Sequence, residues 1–75
     1  MIKTIENTKD LISFIKLRRE ELGISQAQLA QLCNLSLNGI SKLESNKDGK
    51  REVKLSTLLK LSKFLGFEIA LKVEE

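Results

Sequence analysis

Apolar residues recur at the helical period in separate stretches between Asn7 and Leu65, and the period switches to two from Phe67 onward. Between Asn7 and Leu22 one face collects Leu11, Phe14, Ile15, Arg19 and Leu22, which predicts a first helix with an arginine inside its apolar stripe. Asn7 is placed to cap it, Asp10 favours its positive end, Gly23 closes it and Ile24 packs back. A second, short helix follows Ser25, with Leu29, Ala30, Leu32 and Cys33 as its apolar face. Ser25 and Gln28 have the spacing of a capping box, in which each side chain satisfies the other residue's backbone N–H. Asn34 stands where that helix must stop in a left-handed conformation. Ser36 is placed to cap a third helix, and Asn46 to end it as Asn34 ends the second. A last helix is expected from about Leu55 to Leu65. Its Leu55, Leu58, Leu59, Leu61, Phe64 and Leu65 are too many for one stripe, so some must face something beyond the domain's own core.

After Gly66 the segment FEIALKV alternates. Phe67, Ile69, Leu71 and Val73 point one way, while Glu68, Ala70 and Lys72 point the other. The expected fold class is therefore all-α, a small helical bundle with a short C-terminal β-strand over residues 67–73. A single strand cannot satisfy its own backbone and must pair. A symmetric copy is the simplest partner, making the chain a homodimer. The alternative is pairing within one chain with the N-terminal arm, Met1 to Glu6, whose large apolar residues are Ile2 and Ile5.

Composition narrows the function without deciding it. The 75 residues are expected to form one domain over 1–75, and a core this small leans on staples or oligomerisation. Cys33 is the only cysteine, so no disulfide is available; on a face with Leu29 and Leu32 it reads as a small core hydrophobe. Histidine is absent, which removes the usual zinc and acid–base constellations. No nucleophile, base and metal set can be assembled, so the chain is not expected to be an enzyme, nor to need a metal or cofactor. The net charge of +3 suits a nucleic-acid partner, but the interleaving of acids with bases equally suits an ordinary soluble surface. No apolar run is long enough for a signal peptide or membrane span, so a reduced, cytoplasmic setting with no membrane partner is expected.

The third helix is the most informative stretch. At the helical period Ile40, Leu43 and Glu44 share one side, and Leu37, Asn38, Ser41, Lys42 and Ser45 share the other. A helix buried on one side, with short polar groups and a lysine on the other, suits the DNA major groove, which admits one helix. An ordinary helical hairpin with a solvated face has the same pattern. Lys47, Lys50, Arg51 and Lys54 follow in the loop KDGKREVK, where phosphates would lie, though Asp48 and Glu52 cancel part of that charge. Arg19, turned inward, needs a partner, since an unpaired buried charge is costly; Glu44 is the obvious one, unless both lie at the surface.

The stretch Ser25–Asn46, SQAQLAQLCNLSLNGISKLESN, closely resembles the helix-turn-helix of the Xre/Cro, lambda-repressor-like family. Ser25, Gln26, Leu29, Ala30, Ile40, Ser41 and Glu44 match its S/T-Q-x-x-L-A, turn and I-S-x-x-E pattern. Asn34 and Asn46 stand where the family usually has glycine, and Leu37, Asn38 and Gly39 replace the longer polar residues common at the start of the third helix. The resemblance implies an Arg19–Glu44 ion pair and sequence-specific binding of double-stranded DNA. Ser36, Leu37, Asn38 and Lys42 take the places that face bases. By their chemistry, Asn38 suits adenine, Lys42 guanine and Leu37 a thymine methyl. Gln26 is expected to meet a phosphate and brace the third helix; Ser41, Ser45, Lys47, Lys50 and Arg51 are further candidate phosphate contacts. With the lead-in and the GFEIALKV tail, the whole chain looks like the HipB-like antitoxin branch. That likeness implies a dimeric repressor built on the strand and a HipA-like kinase toxin as partner. Two other readings stay open: a module that holds a toxin or other protein with weak DNA readout, and a phage or restriction-control regulator.

Overall fold

The computed structural model describes residues 2–74; Met1 of the predicted arm and Glu75 at the end of the expected domain lie outside it. Four helices are formed among the described residues: α1 (Thr8–Glu21), α2 (Gln26–Leu32), α3 (Leu37–Ser45) and α4 (Leu55–Leu65). The first three start where their side-chain caps place them, at Asn7, Ser25 and Ser36. The Asn7 side chain accepts the Asp10 N–H at 2.8 Å, and Ser25 and Gln28 form the reciprocal capping box. Asn34 is left-handed at φ 54°, which ends α2 and turns the chain into α3.

Asn46 departs from the expectation. It follows α3 with φ −77° and ψ 59°, outside the left-handed region, so it does not repeat the role of Asn34. It is buried instead, and its side chain closes the following loop.

The core is one cluster to which all four helices contribute: Ile15 from α1, Leu29 and Ala30 from α2, Ile40 from α3, and Leu61 and Leu65 from α4, with Cys33 beside them. Burial pushes the Cys33 thiol pKa up, as befits a packing residue rather than a nucleophile. Three apolar assignments shift. Leu22 and Leu32, expected inside, are exposed: Leu22 caps the end of α1 and Leu32 is the last residue of the short α2, so both sit at the margin of the core. Ile12, which the predicted stripe omitted, is buried, because α1 is covered on a second side by the end of α3 and the loop after it. On α4 the surplus is real: Leu55, Leu59 and Phe64 remain exposed beside the buried Leu61 and Leu65.

The loop after α3 is pressed against the start of α1. Gly49 has φ +70°, and a Cβ there would fall 2.6 Å from the Lys9 backbone nitrogen. Both the conformation and the approach therefore exclude a side chain. Gly49→Ala is expected to destabilise the fold by about 1–3 kcal/mol in urea unfolding. A variant as stable as the parent would mean that the turn moves freely off α1.

The chain end differs from the predicted strand. Phe67 is half-buried: its N–H bonds Ser62 O at 3.2 Å, and its ring meets Phe14 edge-on at 5.4 Å. Arg18, to which the sequence drew no attention, fixes the same corner by donating from Nε to the Leu65 carbonyl at 2.7 Å. Past this point Ile69, Leu71 and Val73 are exposed, and none of residues 67–74 lies in a strand. Among the described residues no backbone hydrogen bond joins this tail to the N-terminal arm. A strand exists by its ladder, and the single chain offers this one no partner.

Candidate nucleic-acid interface

The exposed side of α3 is built from its cap upward. Ser36 Oγ accepts the Gly39 N–H at 2.9 Å, which starts the helix and leaves the hydroxyl proton free to donate outward. Leu37, Asn38, Ser41, Lys42 and Ser45 then lie exposed, while Ile40 and Glu44 are buried and Leu43 is half-buried. The four residues expected to face bases, Ser36, Leu37, Asn38 and Lys42, are therefore all at the surface on or just before one helix.

Beneath that face, Arg19 Nε donates to Glu44 Oε2 at 2.7 Å, and Arg19 Nη2 donates to Oε1 at 2.9 Å, a bidentate pair. Arg19 Nη1 donates to the Ile24 carbonyl at 2.8 Å, and Gln26 Nε2 donates to Glu44 Oε1 at 3.1 Å. The side chains are 12% and 3% exposed, so water contributes little to either charge and the protein supplies the partners. Bonding to Glu44 raises the Arg19 pKa above its ordinary value against the opposing pull of burial. One cluster thus locks α1, the turn after it, the start of α2 and the inner side of α3. Its effect is to fix the pose of α3.

The loop separates the candidate phosphate contacts. Lys47 and Lys50 are exposed, their ammonium groups bonded to no carboxylate among the described residues. Arg51, also exposed, turns toward α3: Nη2 donates to the Lys42 carbonyl at 3.1 Å and to Ser45 Oγ at 3.4 Å. There its charge meets the negative end of α3 and holds the last turn. Ser45 Oγ also donates to the Lys42 carbonyl at 3.0 Å, so it too is engaged within α3.

Asn46 supports this loop from below. Its Nδ2 donates to the Arg51 carbonyl at 2.9 Å, and its Oδ1 accepts the Arg51 N–H at 3.3 Å. The sequence offered no sign of this, because the two residues are joined only by the path of the loop. Asn46→Ala leaves both Arg51 backbone groups without these partners, so a loss of about 1–3 kcal/mol is expected in thermal or urea unfolding. An unchanged melting curve would show that water replaces the amide without cost.

The arrangement of a capped α2, a tight turn and an α3 braced by a buried ion pair brings comparison with known proteins to a point. The helix-turn-helix family model matches residues 15–72. The chain belongs to the helix-turn-helix family. In this helix-turn-helix protein, of the Xre/Cro-like kind, α2 and α3 are the two motif helices. No curated protein matches the chain. Among solved structures it is similar to HipB in the "Structure of HipA-HipB-O2-O3 complex", with 26% identity and a TM-score of 0.80. That match covers 99% of this chain and 100% of the other, so the likeness extends beyond the motif to the arm and tail. The helix-turn-helix domain marks the chain as a DNA-binding regulator. No described helix is long and apolar enough to cross a membrane.

Proposed function

We propose that this protein is a cytoplasmic, sequence-specific transcriptional repressor of the HipB-like antitoxin type, which binds its operator as a homodimer and pairs with a HipA-like kinase toxin. The observation that carries the reading is the exposed face of α3, polar apart from Leu37 and held in a fixed pose by Arg19, Glu44 and Gln26. In this reading Asn38 and Lys42 bond base edges, Leu37 touches a thymine methyl, and Ser36 donates its free hydroxyl proton. Lys47 and Lys50 meet phosphates, joined by Ser41 at the edge of the face and by the part of Gln26 that Glu44 leaves free. Arg51 serves the end of α3 through Nη2 and keeps Nε and Nη1 for a phosphate, whereas the Ser45 hydroxyl proton is already given to the Lys42 carbonyl. Dimerisation through the tail places two α3 helices about one DNA turn apart.

Binding of the purified protein to its own upstream DNA and to random duplex, at several salt concentrations, tests the proposal. Asn38→Ala and Lys42→Ala are each expected to cost roughly 1–3 kcal/mol on the specific site and much less on random DNA. Equal losses on both would reduce these residues to phosphate contacts. Parent protein that shows no preference for its upstream DNA would favour the second reading, a protein-binding module. Leu37, 52% exposed at the head of α3, and the neighbouring Gly39 are what support that alternative. A kinase-like gene beside this one supports the antitoxin; a methyltransferase, nuclease or phage neighbourhood points to a different regulator.

A further inference from the structure

We propose that the DNA-backbone interface extends beyond the helix-turn-helix onto α1, where Lys9, Ser13 and Lys16 join Lys47 in a cradle for duplex phosphates. The inference rests on α3 being the helix that enters the groove. Positions 9, 13 and 16 fall on one stripe of α1 at helical spacing, and all three residues are exposed. With Lys47 they rim a groove of about 300 Å³ between α1 and the end of α3, floored by the buried Ile12 and Glu44. Glu44 is already engaged by Arg19 and Gln26, so its charge is not free to neutralise the rim.

Among the described residues no carboxylate bonds the ammonium groups of Lys9, Lys16 or Lys47. Asp10 lies off the stripe, and Glu20 continues it only past Lys16, toward Arg19. The close approach of Gly49 to the Lys9 backbone ties the start of this stripe to the basic loop. Two lysines flanking a hydroxyl donor match a run of phosphate oxygens, which are contacted by lysine and serine alike.

The position of the groove relative to α3 selects DNA as the occupant. At the helical period Glu44 adjoins the Leu37–Ser41 edge of the exposed face, whereas Asn46 adjoins the Lys42 edge. Arg51 sits against the Lys42 edge, and the α1 cradle sits along the other. A helix lying in the major groove has a phosphate ridge on each side. The exposed face of α3 is thus flanked on both edges by cationic side chains, and α1 supplies one of the two flanks.

The test is a salt titration of the full chain on random and upstream duplex, comparing the parent with a Lys9→Gln/Lys16→Gln variant. A second variant, Lys60→Gln/Lys63→Gln, removes the same charge from α4. The α1 variant is expected to melt like the parent and to bind both duplexes roughly tenfold more weakly at low salt. Its slope of log affinity against log salt should be shallower by about 1 to 2, since each phosphate contact contributes about 0.9. The ratio between upstream and random DNA should hold. The α4 variant should keep the parent's slope. An unchanged slope in the α1 variant overturns the proposal and leaves the stripe to an acidic protein surface. Equal loss in both variants also overturns it, because net charge alone would then account for the effect. Failure of the repressor reading is separate: it appears as loss of preference for upstream DNA in the parent, whatever the lysine variants do.

Discussion

Arg19→Ala is expected to destabilise the fold by about 3–5 kcal/mol, the largest effect of any single substitution considered for this protein. The pair itself has a smaller net value, since taking two charges out of water offsets much of their attraction. What the substitution exposes is the stranded partner. Glu44 is 3% exposed, and without Arg19 it keeps only the Gln26 amide, so a carboxylate is left buried without a counter-charge. The Ile24 carbonyl loses its donor as well. A protein of this length has only several kcal/mol of stability, so much of the folded population is at risk near body temperature. Replacing both residues with apolar side chains of similar volume should recover much of the loss. DNA binding by that double variant should still be impaired, because the Gln26 contact that helps fix α3 would be gone. Urea unfolding of the single variant decides the first point, and a melt like the parent's would sink the argument for an uncompensated charge.

The second large effect concerns the tail. Removing residues 68–75 is expected to leave a monomer at micromolar concentration that binds a two-half-site operator much more weakly. Leu71 is 90% exposed and Val73 79%, an apolar face that a single chain leaves open to aggregation. Antiparallel pairing with a second copy supplies the missing ladder and covers that face, with the exposed Leu55, Leu59 and Phe64 of α4 close at hand in sequence. The cut belongs after Phe67 rather than before it, because the Phe67 ring packs on Phe14 and its loss would damage the core. Affinity for one half-site should fall far less, since α3 is untouched. Sedimentation is decisive: if the shortened chain still runs as a dimer, the α4 leucines become the interface.

Those two results draw on different kinds of information, and the division runs through the whole molecule. The caps at Asn7, Ser25 and Ser36 and the left-handed Asn34 were legible in the sequence, because each depends on a side chain and backbone within three residues. The split of α3 into buried and exposed sides was legible for the same reason, since the helical period alone assigns it. Arg19 against Glu44 was legible as a charge out of place on an apolar stripe. The matching motif residues supplied its partner.

What only the tertiary structure decided are the contacts between segments whose separation no period describes. Asn46 is a buried clamp on the Arg51 backbone rather than a left-handed helix end, and the Arg51 side chain holds the last turn of α3 through Nη2. Arg18 reaches the end of α4, and Ile12 is buried by the loop that Gly49 presses against α1. Residues 67–73 alternate as a strand would, yet form none in the single chain. Alternation determines which side chains share a face, while a strand's hydrogen bonds belong to whatever backbone lies beside it.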